Sequence, residues 1–192
     1  MIIGLCGKKG SGKSTAAKYL TEKYGTSRVN FKDALVTEIK KNFNPMLLAV
    51  IDLLEREDYD GNCALTIDQL FDKKPPVIRT LMQCYGTEVR RADNENYWKN
   101  KWIVSTMEKG GRIVCDDVRF LNEADAVKNV GGFIIKIERE GLVSNDSHKS
   151  ETEMDHINYD YVITVPDGDI DTLHRKLDEI MEVLIKGDDE DG

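Results

Sequence analysis

The chain has 192 residues, with 27 Lys+Arg against 35 Asp+Glu for a net charge of −8, and 40% of its residues are hydrophobic. That length fits one domain with room for an inserted subdomain, and the apolar share is enough for a packed core. The acidic balance argues against a nucleic-acid or anionic-membrane binder, which needs a basic surface, but leaves room for a small anion in a local basic pocket.

The elements follow in chain order. Ile2 to Cys6 reads as a buried strand, and Gly7 to Gly12 as a glycine-rich loop. Lys13 to about Tyr24 is expected to be a helix, Arg28 to Phe31 a second strand, and Lys32 to Phe43 a helix. Met46, Leu47, Val50, Ile51 and Leu54 recur at helical spacing, and polar Glu55 to Asn62 reads as a loop. Pro75-Pro76 starts a helix with Val77, Ile78, Leu81, Met82, Tyr85 and Val89 on one face. Another helix carries Trp98, Trp102, Ile103 and Met107 and ends at Gly110-Gly111.

The alternation then becomes regular. Ile113 to Cys115 is a strand, Leu121 to Val130 a helix, and Phe133 to Ile137 a strand. A polar segment from Glu140 to about Asp155 precedes a strand at Tyr161 to Val165 and an amphipathic last helix marked by Ile170, Leu173, Leu177, Ile180, Met181 and Leu184. Residues 187–192 form an acidic tail, read as frayed. This pattern predicts an α/β protein: a three-layer fold with a parallel sheet, a mainly helical insert over about 32–109 and a lid-like segment over about 140–155, all in one domain. No stretch approaches the length of a membrane span, and the short apolar start lacks the basic lead of a signal peptide, so a cytoplasmic protein is expected. Cys6, Cys63, Cys84 and Cys115 form no CxxC pair and no zinc spacing, and read as reduced thiols.

Gly7-Lys8-Lys9-Gly10-Ser11-Gly12-Lys13-Ser14 matches the phosphate-binding pattern GxxxxGK[ST] in full, with an apolar strand before it and a helix after it. Glycines let the backbone wrap closely around phosphate oxygens, and the following helix offers its N-terminal dipole. Residues 7–15, Thr15 included, are therefore the expected nucleotide-binding set. Lys13 should reach the terminal phosphates of ATP, and the Ser14 hydroxyl should ligate Mg²⁺. The guanine-reading NKxD pattern of GTPases does not occur. Asp116 and Asp117 end the apolar strand Ile113–Cys115, where an acid can hold Mg²⁺ opposite Ser14. The bland alternative is that one of them only caps the next helix. Arg119 could neutralise phosphate charge or pair with Glu123 one turn on.

Four segments together resemble the phage-type deoxynucleoside monophosphate kinases of the broader P-loop nucleoside monophosphate kinase group. They are the phosphate loop; Arg79-Thr80-Leu81-Met82-Gln83-Cys84-Tyr85-Gly86-Thr87-Glu88 with Arg90-Arg91 and Tyr97-Trp98; Asp117-Val118-Arg119 with Asn122-Glu123; and Ser144-Asn145-Asp146-Ser147-His148 with Ser150-Glu151. The resemblance implies transfer of the ATP γ-phosphoryl group to a deoxynucleoside 5′-monophosphate with Mg²⁺, in a P-loop fold. It further suggests a homodimer and, for a phage-encoded protein, the host cytoplasm as location, while the acidic charge and the lack of a membrane span argue against nucleic-acid and membrane partners. Carried onto this chain, it places Arg79, Gln83 and Arg91 in the acceptor pocket, with Asp33 and His148 as further candidates. Bidentate arginines suit a dianionic phosphate, and Gln83 lies one helical turn after Arg79. Trp98 could stack on a base, although its spacing with Trp102 equally suits a core. Arg139 could act as an arginine finger in cis beside Lys13, Asp117 and Arg119. Two other readings stand beside this one: a P-loop kinase for another small acceptor, such as dephospho-coenzyme A or a phosphorylated metabolite, and a non-catalytic ATP-binding regulatory module.

Overall fold

The computed structural model describes residues 1–57, 65–142 and 153–190. They divide into two compact units, Met1–Phe31 with Lys99–Gly192, and Lys32–Trp98.

The first unit is built on five parallel strands: β1 (Ile2–Cys6), β2 (Ser27–Arg28), β3 (Ile113–Cys115), β4 (Phe133–Arg139) and β5 (Tyr161–Val165). Their order is β2-β3-β1-β4-β5, with Gly4 beside Cys115 on one side and Ile134 on the other. β1 and β3 are apolar throughout and largely buried, and β4 opens with the apolar run Phe133–Ile135 before Lys136, Glu138 and Arg139, as suits a sheet covered on both faces. On one face, α1 (Lys13–Tyr24) and the last helix, α7 (Ile170–Glu190), bury Ala16, Ala17, Leu20, Leu173, Leu177 and Met181 against Ile3, Leu5, Ile135 and Ile163. On the other, α5 (Tyr97–Lys109) and α6 (Leu121–Asn129) enclose Trp102, Ala124, Val127, Ile113 and Ile134. These layers and this strand order are those of a P-loop α/β fold. β1 lies where the chain changes direction across the sheet, so the crevice for a ligand opens beyond its C-terminal end. No described helix is long and apolar enough to cross a membrane.

The second unit is helical: most of α2 (Phe31–Glu57), then α3 (Ile67–Lys73) and α4 (Pro76–Gln83), which runs on as a π-helical stretch over Cys84–Arg91. Its core holds Ile39, Leu47, Ile51, Leu70, Phe71, Ile78, Tyr85 and Trp98. α2 kinks at Phe43, just before Pro45, which has no N–H to donate and whose ring crowds the preceding turn.

Several expectations are corrected. β2 is shorter and earlier than Arg28–Phe31, because side chains take over its continuation. The Trp102 indole donates to the Val29 carbonyl (2.9 Å), Asn30 accepts the Asp116 N–H (2.9 Å), and Phe31 already begins α2. Residues 55–57 are helical rather than loop, with Arg56 paired to Asp52 one turn back (2.7 Å). The unanticipated α3 has a legible start: Thr66 Oγ1 accepts from Gln69 N (3.1 Å) while Gln69 Oε1 accepts from Thr66 N (2.8 Å), a reciprocal cap written as T-x-x-Q. The second unit ends at Trp98 rather than near 109, since Trp102 is buried against the sheet. Val77, Val89 and Met107 are exposed despite their spacing. The last helix continues to Glu190, through most of the tail read as frayed. Cys6 and Cys115 are buried, as expected of strand residues, and burial pushes the Cys6 thiol up to about 11 and Cys115 well above its ordinary value. Cys84 is exposed, and Cys63 and the 143–152 part of the lid-like segment lie outside the described residues.

Candidate active site

The loop between β1 and α1 is shaped by its glycines. Gly7, Gly10 and Gly12 have φ of 142°, 83° and 104°, a region that side-chain-bearing residues rarely adopt. Gly7 is the most constrained: a Cβ there would meet the Ile137 carbonyl oxygen at 2.2 Å. α1 starts at Lys13, and among the described residues no side chain caps Gly12, so the N-terminal end of the helix dipole faces the loop. Lys13 is buried, and its ammonium donates to the carbonyls of Gly7 (2.6 Å) and Lys8 (2.8 Å), which draws the loop around the charge. Lys9 and Thr15 are exposed, and Lys8 pairs with Asp155 (3.1 Å). The Ser11 hydroxyl is buried without a hydrogen-bond partner among the described residues. Beside the loop opens a cavity of about 330 Å³ lined by Lys8, Ser11, Lys136, Arg139 and Asp155 among others.

The two acidic candidates separate. The Ser14 hydroxyl donates to Asp116 Oδ2 (2.8 Å), and Asp116 is 3% exposed. Asp117 Oδ1 instead accepts the N–H of Phe31 (3.0 Å) and the Cys115 thiol (3.1 Å), tying down the start of α2. A capping role thus falls to Asp117, though on α2 rather than on α6. α6 is capped by Glu123, whose Oε2 accepts the N–H groups of Arg119 (2.9 Å) and Phe120 (3.2 Å). Ser14 and Asp116 are hard oxygen donors at the mouth of a phosphate loop, a donor set that suits Mg²⁺ held jointly with phosphates and water. No cluster of three or more His, Cys, Asp or Glu residues suited to a metal occurs among the described residues, so any metal here leans on its substrate.

Arg139 closes β4 on the same side. Its Nη1 pairs with Asp167 (3.1 Å), its Nε is buried without a hydrogen-bond partner among the described residues, and its Nη2 lies 3.9 Å from where a Cβ on Gly10 would stand. Two residues beyond the expected set also belong here: Arg28, which pairs with Asp116 Oδ2, and Asn30, which holds the Asp116 backbone. Neither lies in a motif. Their signal was positional, at the end of a strand beside β3.

In the second unit Arg79 and Gln83 are exposed one turn apart on α4, and Arg91 is half-buried with Nη1 3.4 Å from the Glu95 carbonyl. Asp33 is exposed in the first turn of α2. Trp98 is corrected as a base-stacking candidate. It is 3% exposed, its indole donates to the Gly86 carbonyl (2.9 Å), and its ring meets Tyr97 edge-on, so it is a core residue. Gly86 is small for the same reason, since a Cβ there would lie 3.1 Å from Leu35. The π-helical stretch separates the arginine doublet. Arg90 lies five residues after Tyr85, where an i→i+5 turn stacks side chains; its guanidinium bonds the Tyr85 hydroxyl (2.7 Å), pairs with Glu38 (2.6 Å) and lies over the Tyr85 and Tyr97 rings. His148 lies outside the described residues.

The deoxynucleotide monophosphate kinase family model matches residues 55–177, well over half of the chain. A protein of Acanthamoeba polyphaga mimivirus, provisionally named a deoxynucleotide monophosphate kinase, is 35% identical over 177 residues, covering 85% of this chain and 87% of its own length. The deoxynucleotide monophosphate kinases of Enterobacteria phage T4 and Escherichia phage RB69 are each 30% identical, over 56% and 54% of this chain, and those matches span 46% and 44% of the phage proteins. The family match begins after the phosphate loop, so the geometry around Lys13 and Ser14 is independent of it. The chain belongs to the deoxynucleotide monophosphate kinase family.

Proposed function

We propose that this protein transfers the γ-phosphoryl group of ATP to a deoxynucleoside 5′-monophosphate, giving the diphosphate and ADP. The observation that carries the reading is the Ser14–Asp116 contact of 2.8 Å at the mouth of a complete phosphate loop, in a chain of this family. The acceptor phosphate is already an anion at neutral pH, so no strong base is needed. Catalysis then consists of in-line positioning and charge neutralisation. The acceptor oxygen bonds to the γ-phosphorus as the bond to the β–γ bridging oxygen breaks, and ADP departs with that oxygen.

Lys13 and the N–H groups of the loop and of α1 hold the donor phosphates. Ser14 and Asp116 would hold Mg²⁺, which neutralises phosphate charge and orients the oxygens when bound. Asp117 keeps the start of α2 in place rather than ligating the metal. Arg139, beside Gly10 with a buried N–H to give, supplies positive charge to the transferring group. Arg119 adds to that charge. The second unit provides the acceptor residues Arg79, Gln83 and Arg91, with Asp33 at its margin.

The test is ADP release with Mg²⁺-ATP against dAMP, dCMP, dGMP and dTMP and their ribose counterparts. Release stimulated by one or more deoxynucleotides supports the reading and gives the base preference. Tight ATP binding with no stimulation by any of them would overturn the acceptor assignment and favour a nucleotide-binding module.

A further inference from the structure

We propose that Arg28 is the resident counter-ion of Asp116, and that it sets how readily a divalent cation takes its place. This rests on the metal role assigned above to Ser14 and Asp116. One carboxylate oxygen, Oδ2, accepts both the Ser14 hydroxyl (2.8 Å) and the Arg28 guanidinium (2.5 Å). The Asp116 side chain is 1% exposed and that of Arg28 39%. The placement follows from the sheet: β2 lies parallel to β3 with Arg28 beside Val114, two residues before Asp116. Asn30, two residues after Arg28, accepts the Asp116 N–H (2.9 Å), so one short segment holds both the backbone and the side chain of the acid.

A carboxylate this buried needs compensating charge, and leaving it alone is more costly than the pair is worth. Arg28 supplies that charge. A divalent cation bound by Ser14 and Asp116 would supply it too, and from the same oxygen. Guanidinium and cation cannot share that position, because two like charges a few ångströms apart repel strongly where solvent is thin. Metal entry therefore requires Arg28 to let go, and its exposure gives it room to do so. Arg28 is a positioning residue: it aims Asp116 at Ser14 before metal arrives, and it raises the metal concentration needed to fill the site.

Thermal unfolding in the presence of ADP, with EDTA or with Mg²⁺, for the wild type, R28Q, R28K, D116N and R28Q/D116N, tests this without any turnover. R28Q should unfold at a lower temperature than wild type in EDTA and gain more from Mg²⁺ than wild type does. On the D116N background the same change should cost little, because the charge that Arg28 compensates is gone. R28K keeps the charge but not the planar fork, and should move the same way by less. In turnover, the Mg²⁺ half-saturation of R28Q should fall, on the order of fivefold for one lost competitor at a partly exposed pair, with kcat at saturating Mg²⁺ changing less. Equal stability of R28Q and wild type in EDTA, or a higher Mg²⁺ requirement for R28Q, would overturn the proposal. If no deoxynucleotide is phosphorylated, the EDTA and Mg²⁺ unfolding results still decide the role of Arg28, so the two readings fail separately.

Discussion

The two units assemble their functional residues in opposite ways. In the sheet unit the candidate groups are concentrated in one short loop and one strand end, and two of them are buried: Lys13 is 8% exposed and Asp116 3%. Their positions are enforced by the backbone, through the Gly7 and Lys8 carbonyls on Lys13 and the Asn30 amide oxygen on the Asp116 N–H. In the helical unit the candidate groups Arg79 and Gln83 stand exposed on a helix, while the same unit is braced by the partly buried Glu38–Arg90–Tyr85–Tyr97 network. A phosphoryl donor is the same in every member of such a group, so its site can be rigid and compact. An acceptor pocket varies with the base it reads, and exposed side chains on a braced helix can change without disturbing the fold.

That contrast can be broken at four points, in falling order of effect. Lys13→Ala should lower turnover by about 10³-fold or more, the scale of removing a group that meets charge in the transition state, while the unfolding temperature changes little. Wild-type-like turnover in this variant would end the P-loop assignment. Ile78→Ala removes a fully buried side chain from the core of the helical unit alone. It should cost about 2–5 kcal/mol of stability, read by denaturant unfolding, and raise the acceptor KM while leaving the ATP KM near its original value. Equal changes in both KM values would mean that the division of labour between the units is wrong. Arg79→Gln should cost roughly 10- to 100-fold in kcat/KM for the monophosphate, the size of one charge-assisted hydrogen bond, with no loss of stability. An unchanged acceptor KM would return Arg79 to the solvated surface.

The same contrast explains what could be read in advance. The phosphate loop was legible because its constraints are local: positive φ at three glycines, a strand before and a helix after. The strands β1, β3, β4 and β5 were legible from their apolar residues, whereas polar β2 at Ser27–Arg28 was not. Asp116 and Asp117 could be named but not told apart, since their partners Ser14, Arg28, Asn30 and Phe31 lie some 86 to 102 positions away in sequence. The helical unit hid more. Spacing rules assume 3.6 residues per turn, and the stretch Cys84–Arg91 does not keep to them. A continued α-helix would carry Arg90 to the face of Gln83, seven residues earlier; the π-helical turn carries it to Tyr85, five residues earlier. Trp98 was ambiguous for a related reason, because a buried and a base-stacking tryptophan have the same spacing.

The smallest of the four effects tests how firmly the phosphate-loop helix is held. Asp178 on α7 accepts hydrogen bonds from the Tyr19 (2.7 Å) and Tyr24 (2.7 Å) hydroxyls and the Lys23 ammonium (2.8 Å), all on α1, while Tyr19 stacks on His174 at 3.8 Å between ring centroids. Burial alone would raise the Asp178 carboxyl, but the bonds from Lys23, Tyr24 and Tyr19 outweigh it and hold the group below its ordinary value. A carboxylate whose folded value is depressed adds stability above its unfolded value, and that contribution disappears as pH falls through the folded value. Asp178→Asn should therefore unfold at a lower temperature than wild type at neutral pH. The gap should narrow as pH drops below about 4, the unfolded range for an aspartate, because the wild type then loses the same interaction. A gap that stays constant down to strongly acid pH would mean that the ionised carboxylate contributes nothing, and that α1 is held on α7 by the Tyr19–His174 stack and the apolar contacts of Leu20, Leu177 and Met181.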